Sequence, residues 1–396
     1  MFKNKLVWIA PILALIVVFI FSLTLFPSVQ PKPENLPIAI VNEDWGVEIP
    51  NQAKLNVGKT IVEGIQATSK TQKGEESAVK WVVVKSNEEV QEGLNTKKYY
   101  AALVIPKDFS VKQASQLSPE ADTPEVQIYI NQGMNMVAST MAGQILNGVV
   151  DNMNNTVRTQ LLSGIEAQGG TLTVEQASTL VNPVSKKVTN INEVGEKSAN
   201  GNAPVSLFQP LWMAIMISAA FVFIAANKLS LNNRKEYLAT KVGQILVGAI
   251  VALFVGFGLT WIVNEVVGIN IPTYFDTALF LSITAFSFFL LISAVLSWLG
   301  IKGVAIFALL LFFGGPLIAL APEMMSSFYR DWIYSWLPMR FMVEGLRELL
   351  FFGEGLTWNA SLSALTWIGT VSILLLLASA LKFKSESSEE IIEHLT

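Results

Sequence analysis

Residues 277–321 decide the fold, and they read TALFLSITAFSFFLLISAVLSWL, then GIK, then GVAIFALLLFFGGPLIALA. Two uncharged apolar runs, residues 277–299 and 303–321, are therefore separated by only three residues. A helix needs about 20 apolar residues to cross the hydrocarbon core of a bilayer, and both runs have this length. The short connector forces the two helices into a tight antiparallel hairpin, so the stretch predicts two consecutive membrane spans.

Four further runs of similar length and composition bring the predicted number of spans to six, namely residues 6–26, 207–226, 242–263 and 362–381. Only 15% of the 396 residues are charged, whereas about one quarter is usual in soluble domains. The first run lacks a small-x-small cleavage site and is followed by Phe26-Pro27, which predicts a retained anchor rather than a signal peptide. The predicted fold class is an α-helical polytopic membrane protein with six transmembrane helices in a 1+5 arrangement.

The distribution of lysine and arginine predicts the orientation. With both termini in the cytoplasm, every short inner segment is basic, while the outer loop 264–276 has no lysine or arginine. We therefore expect a bacterial cytoplasmic membrane protein with both termini inside. The predicted domains are an inner N-terminus with the first span, an extracytoplasmic α/β domain with a long helix, a five-helix membrane domain, and a cytoplasmic tail, at residues 1–26, 27–206, 207–381 and 382–396.

The outer domain shows alternating strand-like and helical segments, at residues 36–41, 57–67, 79–85, 87–94, 99–105, 108–116 and 125–130. This β-α-β-α-β-α-β order predicts a compact α/β lobe inserted between the first two spans.

A long helix follows at residues 134–165, with an apolar residue at every fourth position from Val137 to Ile165. Such a stripe is typical of a helix that packs on the lobe, and equally of a helix that mediates dimerisation or binds a partner. A second helical segment, 174–181, precedes the stretch 184–205, which returns the chain to the membrane.

The inventory of reactive side chains argues against an enzyme. The chain has no cysteine and one histidine, His394, so thiolate metal sites and a Ser-His-Asp triad are excluded. Gly58-Lys59-Thr60 resembles the end of a P-loop, but Ala53 stands where that motif requires a glycine. We predict no catalytic residue, no metal and no cofactor in this chain. The net charge of −4 gives no indication of nucleic acid binding.

The inner loop 227–241 is a candidate functional segment, with Arg234, Lys235, Glu236 and Tyr237 at its centre. Positive-inside anchoring explains the basic residues alone. A short charged helix with an apolar edge also suits a groove on a cytoplasmic partner, and both interpretations use the same charges.

The outer segment 336–353 is a second candidate. Pro338 suits a first helical turn, and Arg340, Glu344 and Arg347 lie along one helical face. The segment is too short and too charged to span the membrane, so we predict an interfacial or re-entrant helix that caps the helix bundle or gates its outer side.

A third candidate interrupts the fifth predicted span. Gly314, Gly315 and Pro316 loosen a helix there, which predicts either a packing kink or a moving hinge. No predicted span contains a charged residue, and this disfavours transport coupled directly to protons or ions.

Three stretches carry a resemblance to a known family: residues 37–44 (PIAIVNED), 99–110 (YYAALVIPKDFS) and 337–347 (LPMRFMVEGLR). The chain resembles ABC-2 type permeases over essentially its whole length, and within them the YhgE/Pip (phage-infection-protein-like) subgroup with a large outer domain. The resemblance implies that the chain dimerises with itself or with a sister permease and pairs with a separate cytoplasmic ATPase, which binds ATP and Mg. It also implies that loop 227–241 is the coupling helix, although the Gly-Thr that often follows in the family is absent after Glu236.

Two functions follow from this resemblance. The first is the permease subunit of an exporter that moves hydrophobic or amphipathic compounds, such as drugs, peptide antibiotics or lipids, out of the cell and so confers antibiotic resistance. The second is a phage-receptor-like or secretion-system scaffold that acts through its outer domain.

Overall fold

The computed structural model describes residues 32–48, 54–70, 77–116, 122–167, 169–171 and 173–382, together with four positions in the first hydrophobic run. The predicted first span, residues 6–26, and the predicted tail, 382–396, lie almost entirely outside the described residues. The chain divides into two compact units. One unit comprises Met1–Gln30, Val194–Ala319 and Ser327–Thr396, and the other comprises Pro31–Glu193 and Leu320–Ser326.

The second unit is built on a five-stranded mixed sheet of order β2-β1-β3-β4-β5. The strands are β1 (Leu36–Asn42), β2 (Val79–Val84), β3 (Ala101–Ile105), β4 (Glu125–Asn131) and β5 (Ser185–Ile191). β1 pairs in parallel with β2 and β3, β4 is antiparallel to β3, and β5 is parallel to β4. The helices of this unit are α1 (Val57–Lys70), α2 (Asn87–Asn95), α3 (Phe109–Ser115), α4 (Met136–Ala167) and α5 (Val174–Val181).

Helices cover both faces of the sheet, which explains why its central strands are apolar without alternation. Ile38 and Ile40 of β1 belong to the larger core, to which α1 and α4 contribute. Ala39 and Val41 belong to a smaller core on the other face, together with residues of α2. The predicted β-α-β-α-β-α-β order is therefore present.

The sequence did not reveal β5, because the stretch from 184 was read only as the return to the membrane. No residue of β5 is buried, so its SKKVTNI sequence lacks the apolar face that marks a strand. The strand forms because its backbone pairs with β4 in parallel along its whole length, from Ser185 opposite Glu125 to Ile191 opposite Asn131.

The long helix α4 packs along the sheet, which favours the first of its two interpretations. Ala138, Ala142, Leu146 and Val150 are fully buried in the larger core. The predicted stripe also contributes to this core, since Met153 and Val157 are buried in it, whereas Val137 remains 45% exposed. Small residues at 138 and 142 let the helix approach the strands closely.

Residues 320–326 belong to the α/β unit although they are distant from it in sequence. Ala321 and Met324 are buried in the larger core. The backbone N–H of Glu34 donates to the carbonyl of Glu323 at 2.7 Å, and the Tyr100 hydroxyl donates to Glu323 Oε2 at 2.8 Å. The segment thus supplies part of the interior of this unit.

The first unit is helical. Its main helices are α6 (Phe208–Asn227), α7 (Arg234–Trp261), α8 (Tyr274–Leu299), α9 (Val304–Ile318), α10 (Pro338–Phe351) and α11 (Ala360–Ala378). Among the described residues, five helical stretches are long and apolar enough to cross a membrane: Ala203–Asn227, Arg234–Val267, Tyr274–Leu299, Ile301–Ile318 and Ala360–Lys382. These correspond to five of the six predicted spans.

Helix α8 is the central helix of this unit, because it packs against α6, α7, α10 and α11. Its apolar window is 72% buried, well above that of the other four candidate spans. Trp212 of α6 fixes one side of it. The fully buried indole lies 4.9 Å from the Phe288 ring, and its Nε1 donates to the Phe307 carbonyl at 3.1 Å.

Candidate functional site

The predicted coupling segment forms the N-terminal turns of α7. Asn233 is the N-cap, and its side chain accepts a hydrogen bond from the backbone N–H of Glu236 at 2.9 Å. The Glu236 carboxylate accepts in return from the backbone N–H of Asn232 and the side-chain amide of Asn233, both at 2.8 Å. A glutamate at this position closes a reciprocal cap on the helix end. The Glu236 carboxylate is therefore engaged in hydrogen bonds with its own loop.

Arg234 and Lys235 are exposed, and their charged groups make no hydrogen bond or ion pair with the described part of the chain. The side chain of Leu238, one turn further on, is 37% exposed. These residues give the end of α7 two cationic groups beside an apolar side chain. Such a surface is suited to a protein partner that carries acidic residues.

The predicted site residue Tyr237 leads into a buried contact between helices. The ammonium of Lys241 lies 4.9 Å from the centroid of the Tyr237 ring and donates to Ser297 Oγ of α8 at 2.9 Å. Lys241 is only 2% exposed. One turn of α7 thus joins the exposed cationic end to the central helix.

A second set of contacts at the same end of α8 fixes the position of α11. Trp298 Nε1 donates to the Leu375 carbonyl at 3.0 Å, and Lys382 donates to the Trp298 carbonyl at 3.0 Å. The Lys382 ammonium also lies 4.5 Å from the Trp298 ring centroid. Consecutive residues Ser297 and Trp298 therefore hold the ends of two different helices.

The second candidate segment contains α10, which begins at Pro338. At 14 residues it is about 21 Å long, shorter than the hydrocarbon core. Ten of its residues are buried, so it is an integrated part of this unit, packed against α8, α9 and α11. A Cβ at Gly345 would lie 2.3 Å from the tip of the Phe280 ring. Only a glycine permits this approach of α10 to α8.

Three of the four charged residues of α10 gather around Tyr334, which precedes the helix. The Tyr334 hydroxyl donates to Glu344 Oε1 at 3.3 Å, and the Arg340 guanidinium lies 5.4 Å from the Tyr334 ring centroid. Burial, and next the charge of Glu344, raises the pKa of Tyr334 well above its ordinary value of 10, although Arg347 and Arg340 act in the opposite direction. The four predicted residues Pro338, Arg340, Glu344 and Arg347 therefore lie on one short helix, three of them around a buried phenol.

The Gly-Gly-Pro sequence lies inside α9, whose helix continues through it to Ile318. Pro316 lacks the N–H that would bond the preceding turn. A Cβ at Gly314 would approach Met339 Cε to 2.7 Å, whereas a Cβ at Gly315 would meet nothing within 4 Å. Gly314 thus has a packing role against α10, and the sterically open position is Gly315.

Three stretches singled out by sequence converge on Asp44 in the α/β unit. Asp44 Oδ1 accepts from the backbone N–H of Ser110 at 3.0 Å, Oδ2 accepts from the N–H of Gly58 at 3.2 Å, and Oδ2 also accepts a very short bond from Ser110 Oγ. Gly58 belongs to the tripeptide that resembles a P-loop. The backbone N–H of Gly58 in the first turn of α1 thus donates to a carboxylate of the same chain, in keeping with the preference of a helix N-terminus for an anion.

Sequence reasoning missed Asn233, Lys241 and Asp44. The first had a readable signal, since Asn233 and Glu236 have the spacing of a capping box. Lys241 was counted only as a positive-inside charge, and nothing in its local sequence marks it as buried. Asp44 ends the first resembling stretch and Ser110 the second, but only the fold brings them together.

The described residues thus form a helical unit of membrane-spanning character with a sheet-based unit, and residues 5–381 match the ABC-2 family transporter protein family. The chain belongs to the ABC-2 transporter family. No curated protein matches the chain. Among solved structures, the chain is similar to a domain from Thermotoga maritima MSB8 that is assigned to an ABC type-2 transporter, at 18% identity and a TM-score of 0.26. That similarity covers 39% of this chain and 84% of the other.

Membership gives this ABC-2 transporter a multi-pass membrane location and the role of a permease. Permeases of this family are transport subunits that generally lack catalytic activity of their own, and membership implies an ATPase partner.

Proposed function

We propose that this chain is the permease subunit of an ATP-driven exporter that moves hydrophobic or amphipathic compounds out of a bacterial cell, with antibiotic resistance as one outcome. The compounds are of the drug, peptide antibiotic or lipid class. The chain acts as a dimer with itself or with a sister permease, and it belongs to the YhgE/Pip subgroup. The observation that carries the proposal is the capped, cationic end of α7, which offers an ATPase a rigid contact.

The route from this contact into the membrane unit is short. Arg234 and Lys235 meet the ATPase, and the Tyr237–Lys241–Ser297 contacts pass movement of α7 to α8. Helix α8 contacts α10 closely at Phe280 and Gly345. Helix α10 serves as the outer gate, and the Gly315-Pro316 step of α9 serves as a hinge.

The proposed orientation, with residues 27–206 outside and both termini inside, has support beyond the charge count. The segment 320–326 directly follows α9 and lies within the α/β unit. Since residue 320 directly follows α9, we propose that α9 ends on the outer side. Three proposed spans, α7, α8 and α9, separate that end from Arg234, so Arg234 is on the inner side in this proposal.

Co-purification in mild detergent from native membranes tests the ATPase partner. We expect a stoichiometric P-loop ATPase with the wild-type chain, and a loss of at least tenfold with the double variant Arg234→Glu, Lys235→Glu. Glu236 is left intact, so the cap on α7 is kept.

The matched control is the double variant Lys302→Glu, Lys384→Glu, which makes the same charge change at two residues on the same predicted side but outside loop 227–241. It should retain the ATPase. Failure to recover an ATPase with the wild-type chain, under conditions that preserve a known ABC complex, would overturn the exporter proposal. Equal loss in both double variants would overturn the coupling assignment alone.

A further inference from the structure

The α/β unit contains a cleft of about 510 Å³ between α1 and α4. We call it the α1–α4 cleft. Its floor is apolar and formed by Ile61 and Ile65 of α1, Val79 and Trp81 of β2, and Val149 and Met153 of α4. The two helices cover the same face of the sheet but leave this edge of it open between them. Small-molecule sites commonly have volumes of about 300–1,000 Å³ and apolar walls, and the cleft has both properties.

The rim of the cleft is polar but uncharged. Thr60, Asn152, Thr156 and Gln160 line it, and all four are exposed. The side-chain amides of Asn152 and Gln160 form no hydrogen bond with the described residues. Among the described residues that line the cleft, none is a lysine, arginine, aspartate or glutamate. These residues offer a charged ligand no counter-ion, which favours an uncharged molecule.

A second hollow of about 380 Å³ continues the cleft past the start of α1, because Val57, Thr60 and Gln160 line both. Gln113 of α3 lines this second hollow. Its side-chain oxygen is buried and has no hydrogen-bond partner within the described structure. Because that oxygen has almost no accessible surface, a ligand in the hollow does not reach it. The polar group available to a ligand in both hollows is the side-chain amide of Gln160.

The dimensions argue against a partner helix as the occupant. A helix of about 10 Å diameter and 5.4 Å pitch takes up roughly 420 Å³ per turn, so the main cleft would hold little more than one turn. A single turn buries too little surface to dock a protein stably. An elongated small molecule fills both hollows better.

We infer that the α1–α4 cleft binds an uncharged amphipathic molecule, with an alkyl-like part on the apolar floor and a hydroxyl or amide group hydrogen-bonded to Gln160. This goes beyond the proposed transport function, because the binding is a property of the α/β unit and can be measured without export.

Gly64 offers a way to fill the cleft without distorting its walls. It lines the cleft, lies in the middle of α1, and a Cβ there would meet nothing within 4 Å. Gly64→Leu therefore places a side chain in the ligand's space. Gly148 of α4 is also a helical glycine with nothing within 4 Å of its Cβ, but it does not line the cleft. Gly148→Leu is the matched control.

The test uses the full-length protein in lipid nanodiscs and a long-chain alcohol that carries a diazirine, with cross-linked residues located by mass spectrometry. We expect cross-links within residues 57–65 and 149–160 that excess 1-dodecanol removes. Gly64→Leu should reduce them at least fivefold, and Gly148→Leu should leave them unchanged. Gln160→Leu should weaken competition by dodecanol and leave competition by dodecane unchanged.

Two versions of the experiment distinguish a ligand that comes from the membrane from one that comes from solution. The probe is incorporated into the lipid in one and added to the buffer in the other. Labelling in the cleft from either side supports the site. Labelling confined to residues 203–382, labelling of the cleft that Gly64→Leu does not change, or equal competition by dodecanoate would overturn the inference. Amide exchange of α1 and α4 checks that the Gly64→Leu variant is folded, and Gly64→Ala provides a milder reduction of the same space.

Discussion

The Tyr100 hydroxyl and the Glu323 carboxylate are joined by a 2.8 Å hydrogen bond across 223 residues of sequence. Tyr100 precedes β3, and Glu323 lies in the segment that follows α9. The side chain of Tyr100 is 3% exposed and Glu323 is half-buried, so the bond is partly shielded from water. It fixes the segment 320–326 to the sheet of the α/β unit.

Tyr100→Phe should release this segment. A hydrogen bond to a charged group contributes about 1.5–3 kcal/mol, so local opening of residues 321–325 should become roughly tenfold or more frequent. Amide hydrogen exchange of peptides from this segment measures the change. Tyr129→Phe is the control, because the Tyr129 hydroxyl bonds to Gln127 within its own strand at 2.9 Å. Equal exchange in both variants would contradict a fixing role for Tyr100.

Gly58→Ala should destabilise the α/β unit. A Cβ at Gly58 would lie 2.2 Å from Asn42 Oδ1 and 2.9 Å from Asp44 Cβ, so the network around Asp44 would have to separate. Overpacking of this kind costs about 1–3 kcal/mol. The opening free energy of β1 and β3, measured by amide exchange, should fall by this amount. Gly64→Ala in the same helix should be neutral or raise it by about 0.4–1 kcal/mol, because nothing obstructs its Cβ.

Gly345→Ala should weaken the contact of α10 with α8. The added methyl group would meet the Phe280 ring at 2.3 Å, and the fully buried ring has little room to move. We expect a lower thermal midpoint of the membrane unit and reduced transport. Gly315→Ala is the comparison, because its Cβ meets nothing within 4 Å and its midpoint should be unchanged. A Gly345→Ala variant as stable as the wild type would show that the helices can separate without cost.

Tyr334 should make stability depend on alkaline pH. Its folded-state pKa is raised above 10 by burial and by Glu344, so the folded protein keeps the phenol neutral where the unfolded chain ionises it. The stabilising contribution of Tyr334 is full below pH 10, the pKa of the phenol in the unfolded chain. It is lost as the pH rises towards the folded-state pKa, because the unfolded chain then releases a proton that the folded protein retains. Between pH 9 and 11, Tyr334→Phe should lose less stability than the wild type. An identical decrease in both would show that the phenol is not the group responsible.

Features that follow from the local pattern of apolar residues could be predicted from the sequence. Apolar runs of about 20 residues have few alternatives to spanning helices, and five of these runs are helices of the expected length. The β-α alternation was readable because β3 is buried and apolar throughout, and β1 is so from Ile38 to Val41. Pro338 and the apolar face of α10 were sufficient to place that helix within two residues of its ends.

The remaining features depend on contacts distant in sequence. β5 is determined by the free edge of β4 and not by its own residues. Nothing around Glu323 indicates that it meets Tyr100. Glu236 has the same sequence pattern whether it caps α7 or contacts a partner, and only the hydrogen bonds to Asn232 and Asn233 settle its local role.

The α/β unit is built from two stretches that are distant in sequence, and this affects its biosynthesis. Ala321 and Met324 complete its larger core, but the ribosome makes them only after residues 194–319. At about 5–20 residues per second, this leaves the nascent sheet without its last interior residues for roughly 6–25 seconds. During that interval the positions that Ala321 and Met324 later fill are vacant. The larger core of the sheet domain is therefore complete only after the whole of α9 has been synthesised.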